Sequence, residues 1–260
     1  MQHVQAVQLE PPGGCNYTDR HPECPARLLG RDRPAAMPRS PDFAVHTALE
    51  LVGLGFRGFF NFHWYSEPML SRPWIQAVMD GIRKGWPRAR FGLWTNGSLL
   101  APGTCVDCLD FAANFMRIFI SNYDARDWSW LRNGCRAGCF LQVWDNPVLD
   151  TDRLALPDPL RFQRSACIRP YTDFVVTREG DVPLCCQAWR PSQRVGNVLE
   201  DGVQECVRRF LAYREDAVDV TRALPAGHPC LGCAHPERDT LHWDEEIARE
   251  ARRRIACQPR

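Results

Sequence analysis

The sequence lacks a long hydrophobic run, an export signal and an excess of either charge. Its start, Met1 to Gln5, shows neither a cationic segment nor an apolar stretch, and no window of about 18 residues is wholly apolar. The formal net charge is +1 at pH 7. A basic run occurs at Arg252–Arg254, where it suits the solvated end of a helix. We therefore expect a cytoplasmic protein with no membrane span and no nucleic-acid partner.

Cysteine, by contrast, is abundant, with 13 residues in a chain of 260. The odd number and the missing export signal argue against a framework of disulfide bonds. In a cytoplasmic protein, cysteine pairs at ligand spacing are typical of metal or iron–sulfur cluster binding. The cysteine content therefore predicts a metal-binding protein.

Strand-like and helix-like segments alternate through about the first 150 residues. Val4–Leu9, Gly58–Trp64 and Phe91–Trp94 have the composition of strands, and apolar residues recur at helical spacing after Pro41 and after Pro73. This alternation of strands and helices predicts a parallel sheet with helices on its outer face. In folds of this kind, functional groups lie in the loops that follow the C-terminal ends of the strands.

The pattern changes after Pro157. A hairpin with glycine in its turn is predicted over residues 174–184, and an amphipathic helix follows near residues 199–213. The sequence therefore predicts two domains, an α/β domain over residues 1–160 and a smaller domain over residues 161–260.

The predicted second domain carries cysteines at metal-ligand spacing: Cys167, Cys185, Cys230 and Cys233. The two-residue gap of the last pair lets both sulfurs reach one metal centre. Cys186 could replace Cys185, because adjacent residues of a strand point to opposite faces. Four thiolates would also suit a structural zinc ion, so these residues alone leave two kinds of metal site open.

The segments around these cysteines resemble the auxiliary-cluster domain of radical S-adenosylmethionine (radical SAM) enzymes, known as the SPASM domain in its full form and as the twitch domain when shortened. The similar segments are Gly180–Cys186, Val195–Val198, a following helix and Cys230–Cys233. The resemblance implies that Cys167, Cys185, Cys230 and Cys233 hold a [4Fe–4S] cluster.

The strand ends of the first domain also resemble those of radical SAM enzymes. Phe62–Pro68 is similar to the second strand and its Gly-Gly-Glu-Pro-like motif, Thr95–Gly97 to the third strand end and Ile120–Asn122 to the fourth. The resemblance implies a partial (β/α) TIM-like barrel that binds S-adenosylmethionine through Glu67, Pro68, Asn96 and Ser121. The layout resembles the aminocyclitol dehydrogenase branch, the 2-deoxy-scyllo-inosamine dehydrogenase-like members.

The loop that would hold the first cluster departs from the family pattern. The family has three cysteines spaced C-x3-C-x2-C, whereas this sequence has Cys15 and Cys24, with Asp19 and Pro22 at the positions of the missing sulfurs. Alignment on Cys24 gives the series Cys15, His21, Cys24, and the resemblance then makes these three residues the ligands.

The missing thiolate could also come from a more distant pair. Cys105 with Cys108 and Cys135 with Cys139 lie near predicted strand ends, although buried cysteines often serve only as small hydrophobic residues.

Arg153 could meet a substrate hydroxyl or lie on the surface.

Three aromatic residues leave a further choice open. His63, Trp64 and Trp94 could form the floor of a pocket, although aromatic residues on parallel strands are commonly part of the core.

The resemblance implies a radical SAM oxidoreductase that abstracts hydrogen from a small sugar-like or aminocyclitol-like molecule, or from a peptide. Such an enzyme needs an electron donor such as flavodoxin or ferredoxin. The alternative is an accessory or binding protein that kept the fold and the auxiliary cluster but lost cofactor cleavage. The broken cysteine motif is the feature that separates these two hypotheses.

Overall fold

The structure is a computed structural model, and its described part is discontinuous. Described are residues 1, 4–20, 24–31, 33–35, 39–100, 110–134, 140–145, 172–186, 188–189, 193–218 and 228. Within these ranges, no helix is long and apolar enough to cross a membrane.

Strands and helices alternate along the first half of the chain, as the sequence predicts. The strands are β1 (Ala6–Leu9), β2 (Phe59–Phe62), β3 (Arg90–Thr95), β4 (Arg117–Asn122), β5 (Phe140–Asp145), β6 (Asp173–Val176), β7 (Asp181–Pro183) and β8 (Arg194–Asn197). The helices are α1 (Pro25–Leu28), α2 (Pro41–Gly53), α3 (Arg72–Gly85), α4 (Ser129–Gly134) and α5 (Val203–Val218). Short 3-10 helices cover Thr18–Arg20 and Pro68–Ser71.

Six strands form one sheet in the order β5-β4-β3-β2-β1-β6, and β7 pairs with β8 in a second. Strands β2, β3, β4 and β5 pair in parallel. The α/β fold class is therefore confirmed for this part of the chain. Because the strands run in the same direction, their C-terminal ends meet at one edge, and polar residues that follow them can converge there.

The two compact units of the chain are each assembled from separate segments. One comprises Gln8–Leu49 and Phe59–Thr151, and the other comprises Met1–Val7, Glu50–Gly58 and Asp152–Arg260. The predicted domain boundary at residue 160 lies outside the described residues and stays a prediction.

Local signals set the helix boundaries as expected. Pro41 opens α2, and the backbone N–H of Asp42 donates to the Ser40 hydroxyl oxygen at 3.2 Å. Ser40 therefore satisfies one of the backbone donors that the first turn of a helix leaves open. Helix α3 buries its predicted apolar face, with Ile75, Val78, Met79 and Ile82 fully enclosed.

The two faces of the sheet differ in what covers them. Phe60 and Phe62 face α3, because the Phe62 ring meets the Trp74 ring of that helix edge-on at 6.5 Å. Phe62 is in register with Leu93 of β3, so the two side chains share a face of the sheet. Side chains alternate along a strand, so Trp94, the next residue, lies on the opposite face.

Aromatic rings fill that opposite face. The Trp94 ring stacks on His63 at 5.0 Å and on Phe119 at 4.6 Å, and it meets Trp144 edge-on at 4.8 Å. Trp94 is enclosed between two rings and only 8% exposed, so it is part of the core rather than an open pocket floor. Trp64 is also buried, beside the Arg31 guanidinium.

In the other unit, the structure contains the predicted turn, and β7, which follows the turn, pairs with β8. The Gly180 N–H donates to the Thr177 carbonyl at 2.9 Å, and Gly180 has a positive φ of 91°, which suits glycine. However, β6 belongs to the large sheet, and β7 pairs antiparallel with β8. The Thr177 N–H also donates to the Asp181 carbonyl at 2.9 Å, so the predicted turn and chain reversal are confirmed, whereas the pairing of β7 with β8 was not predicted.

Candidate functional site

Glu67, which follows β2, joins the ends of two neighbouring strands. Its carboxylate accepts hydrogen bonds from the Thr95 hydroxyl at 2.6 Å, the Asn96 backbone N–H at 2.8 Å and the Met69 backbone N–H at 3.0 Å. Thr95 ends β3, and Met69 lies in the turn that begins at Pro68. The side chain of Glu67 therefore fixes the loop after β2 to the end of β3.

The carboxyl group of Glu67 is almost completely removed from water, with 3% of the residue exposed. Burial raises its pKa to about 7, against the opposing effect of the three hydrogen bonds. A carboxyl group in this state can change protonation near neutral pH.

The loop that carries Cys15 is attached directly to this point. The Glu67 backbone N–H donates to the Gly14 carbonyl at 2.9 Å, and the Cys15 N–H donates to the Arg31 carbonyl at 2.5 Å. Gly14 has no room for a side chain, because a Cβ there would lie 2.8 Å from the Arg33 backbone. Glycine is therefore required at position 14, where the backbone of the cysteine loop passes close to the backbone of Arg33.

A buried ion pair holds the far end of the same loop. The Arg31 guanidinium donates two hydrogen bonds to the Glu10 carboxylate, at 2.9 and 2.8 Å, and the Ser66 hydroxyl donates to Glu10 at 3.1 Å. The side chains of Arg31 and Glu10 are 6% and 0% exposed. Glu10 directly follows β1, so this pair ties the loop to a third strand end.

The two cysteines of the loop are half-buried and close enough to influence each other. Burial raises the pKa of the Cys15 thiol to about 12, and the charges of Glu67 and Cys24 raise it further. The Tyr17 backbone N–H donates to the Cys15 sulfur and opposes this shift. Cys24 precedes α1 and occupies its N-cap position. Cys15 thus lies beside the loop after β2, within electrostatic range of both Glu67 and Cys24.

Amide side chains link the residue after Cys15 to the segment after β3. The Asn96 side chain donates to the Asn16 side-chain oxygen at 2.8 Å, and Asn16 donates to the Ser98 hydroxyl at 2.9 Å. Pro68 begins the turn after Glu67, and Ser121 lies at the end of β4 in the parallel sheet. The structure thus brings Glu67, Pro68, Asn96 and Ser121 to one edge, while their binding of a cofactor stays a prediction.

Several predicted ligands lie outside the described residues. These are His21, Cys105, Cys108, Cys135, Cys139, Cys167, Cys230 and Cys233, together with Arg153. Cys185 and Cys186 are described and half-buried, just after β7. Within the described ranges, no group of three or more cysteine, histidine or acidic residues could hold a metal ion.

The described residues fit S-adenosylmethionine better than they fit a complete cluster. Cys15 and Cys24 supply two thiols, whereas a family cluster needs three ligands, and the third rests on a residue outside the described ranges. The amides of Asn16 and Asn96 offer donors and acceptors at the same place, as a polar cofactor with amino, carboxylate and hydroxyl groups requires.

Sequence reasoning missed Glu10, Arg31 and Tyr17, and it placed Thr95 in a strand-end motif without giving it a role. Glu10 and the role of Thr95 could have been found by asking which polar residues end each predicted strand. Arg31 and Tyr17 are ordinary loop residues in the sequence, and only their long-range contacts make them part of the site.

The fold is similar to that of radical SAM enzymes. The solved structure of BtrN in complex with AdoMet and 2-DOIA is similar to this chain with a TM-score of 0.61 and 19% sequence identity, covering 84% of this chain and 88% of BtrN. BtrN in an open conformation is similar with a TM-score of 0.58 and 17% identity, covering 91% of this chain and 92% of that one. No protein-family model and no curated protein matches the sequence.

Replacing Arg31 by Met should destabilise the metal-free protein by about 3–5 kcal/mol, because the Glu10 carboxylate would stay buried without its cation. Arg27→Met is the matched control, since Arg27 pairs with Asp19 on the surface with side chains 59% and 90% exposed, and should cost less than about 1 kcal/mol. Urea unfolding measures both. If Arg31→Met lowered the free energy of unfolding no more than the control does, the Arg31–Glu10 pair would not hold the loop.

The free energy of unfolding should fall as Glu67 ionises. Its folded pKa of about 7 lies above the ordinary 4.5, so the folded protein binds this proton more tightly than the unfolded chain does. The stabilisation is complete below about pH 4.5 and is lost as the pH rises through 7. Relative to Glu67→Gln, metal-free wild type should lose about 3 kcal/mol between about pH 4.5 and 8 in urea unfolding. If the free energies of unfolding of the two proteins changed with pH in parallel, the raised pKa of Glu67 would be contradicted.

Proposed function

We propose that this protein is a radical SAM oxidoreductase with a cluster in the Cys15–Cys24 loop and an auxiliary cluster near its C-terminus. The observation that carries the proposal is the attachment of the Cys15 loop to the ends of β2 and β3 through the Gly14–Glu67 hydrogen bond. This contact supports a position for Cys15 beside the strand ends that resemble the cofactor-binding motifs of the family.

The residues of this edge would each have a defined task. Cys15, Cys24 and His21 would hold the first cluster, and the backbone around Glu67 and Pro68 would meet the methionine part of the cofactor. The Glu67 carboxylate is already used by three donors of the protein, so its side chain would support the loop instead of contacting the cofactor.

Two further residues would complete the binding of the cofactor. Asn96 is half-buried and would offer its amide to the cofactor, while Ser121 would approach the ribose. Once bound and given one electron by the first cluster, S-adenosylmethionine would supply methionine and the 5′-deoxyadenosyl radical for hydrogen abstraction.

The proposal extends to substrate, electron donor and location. BtrN is described in complex with AdoMet and 2-DOIA, which favours a small sugar-like or aminocyclitol-like substrate for this chain, with a peptide as the other candidate. Flavodoxin or ferredoxin would supply electrons, and the protein would work in the cytoplasm. The auxiliary cluster of the proposed SPASM or twitch domain would bind substrate or accept the second electron.

A second candidate is an accessory protein that binds ligand without cleaving the cofactor. The observation that favours it is the ligand count, since the described residues offer only Cys15 and Cys24 for the first cluster. Two thiolates leave two irons of a [4Fe–4S] cluster open to water and oxidants.

Cofactor cleavage tests these candidates against each other. After anaerobic loading with iron and sulfide, wild-type protein given S-adenosylmethionine and dithionite should form 5′-deoxyadenosine. Cys15→Ala, Cys24→Ala and His21→Ala should abolish the product, because each removes a ligand. Cys206→Ala is the control, since Cys206 is buried in α5 of the other unit.

The iron content decides between the outcomes. Wild type that holds one cluster and forms no 5′-deoxyadenosine would refute the enzyme and leave the accessory protein. Product from His21→Ala at the wild-type rate would remove His21 from the ligand set and point to a distant cysteine.

The auxiliary cluster has a separate test. Replacing Cys230 and Cys233 together by Ala should remove about four iron atoms per chain, the content of one [4Fe–4S] cluster. Comparing Cys185→Ala with Cys186→Ala then identifies the ligand after β7. Stoichiometric zinc without iron in the anaerobically purified protein would contradict the cluster and favour a structural zinc site.

A further inference from the structure

Tyr17 connects the first cysteine of the loop to the loop after β4. Its backbone N–H donates to the Cys15 sulfur, and its hydroxyl donates to the Asp124 carboxylate, 107 residues further along the chain. Tyr17 is 5% exposed, and its ring lies 5.9 Å from the Tyr123 ring. One buried residue therefore contacts Cys15 with its backbone and the distant loop with its side chain.

The loop that receives Tyr17, residues 123–128, is itself held in one conformation; we call it the β4 loop. The side-chain oxygen of Asn122 accepts from the Arg126 N–H at 2.9 Å, and its side-chain nitrogen donates to the Arg126 carbonyl at 2.8 Å. Asn122 also donates to the Asp145 carboxylate at the end of β5, at 2.6 Å. Because Asn122 is 1% exposed, water competes little for these bonds.

Two further features mark the β4 loop as constrained. Ala125 has a positive φ of 51°, a left-handed conformation that costs free energy in any residue other than glycine. The Arg126 guanidinium pairs with the Asp124 carboxylate at 2.9 Å, on the same oxygen that accepts from Tyr17. Strain of this kind persists where surrounding contacts over-determine the backbone, and it concentrates at functional sites.

We propose that Tyr17 is a positioning residue for Cys15, and that its bond to Asp124 makes the geometry of the Cys15 sulfur depend on the β4 loop. The contacts run from Asp145 through Asn122, Arg126 and Asp124 to Tyr17, so the ends of β4 and β5 are linked to Cys15. The consequence for the loaded protein rests on the proposed function, because hydrogen bonds to cysteine sulfurs help to set the potential of a bound cluster.

The positioning role is tested first in the metal-free protein. Tyr17→Phe removes the hydroxyl and keeps the ring, so the segment from Cys15 to Tyr17 should open more often while Cys24 is unaffected. Iodoacetamide should then alkylate Cys15 about fivefold faster relative to Cys24, the effect expected from one ordinary hydrogen bond. Asp124→Ala should give the same increase, and the double variant should add nothing. Tyr123→Phe, which removes a hydroxyl from the neighbouring ring, should leave the ratio unchanged.

Mass spectrometry of the alkylated peptides gives the ratio for each variant. An unchanged ratio in Tyr17→Phe, or effects of the two single variants that multiply in the double variant, would overturn the coupling. Either result would mean that Tyr17 and Asp124 act independently of Cys15 or of each other.

The second readout is the midpoint potential of the cluster in the Cys15–Cys24 loop, measured by reductive titration with electron paramagnetic resonance. At equal iron content, Tyr17→Phe should be more difficult to reduce than wild type, because a weakened N–H···S bond leaves more negative charge on the sulfur. An unchanged potential would overturn the tuning role. If wild type holds no cluster in this loop, the proposed function fails, and the alkylation ratios alone decide the positioning role.

Discussion

The carboxylate of Glu67 is the interaction on which the rest of the strand-end site depends. A buried carboxylate is strongly unfavourable unless donors surround it, and here Thr95, Asn96 and Met69 provide them. These donors lie on β3 and on the turn after Glu67 itself, so satisfying the carboxylate brings two strand ends together. The Gly14 carbonyl then accepts from the Glu67 N–H, which attaches the cysteine loop to the same point.

The cysteine loop is fixed by polar contacts at both ends. Gly14 holds the start of the loop, and the Arg31–Glu10 pair holds its end. The Cys15 N–H closes the loop on the Arg31 carbonyl. Hydrogen bonds have strict distance and angle requirements, so this arrangement sets the position of Cys15 more narrowly than hydrophobic contacts alone would.

The sequence predicted the elements whose causes are local. Pro41 opens α2 and the apolar spacing of Ile75 to Ile82 marks α3, because helix starts and amphipathic faces depend on neighbours a few residues away. The pairing of β7 with β8 and the Tyr17–Asp124 contact were not predicted, because neither is marked by a local sequence signal. Glu67 was recognised from its motif, but the sequence did not show that its carboxylate turns inward to Thr95 and Asn96.

Groups of the cysteine loop and of Glu67 would act in opposite directions on a cluster held by Cys15. A hydrogen bond from the Tyr17 N–H to the sulfur would favour the reduced cluster, and an imidazole ligand such as His21 would do so more strongly. The His effect would be at least roughly 125 mV if each of the two histidines in a Rieske centre contributes equally. An ionised carboxylate at Glu67, whose charge already acts on Cys15, favours the oxidised cluster. Reductive cleavage of a sulfonium requires a strongly reducing cluster. A histidine in this loop is therefore compatible with that chemistry only to the extent that the buried negative charge of Glu67 offsets it, which gives Glu67 an electrostatic importance beyond its support of the loop.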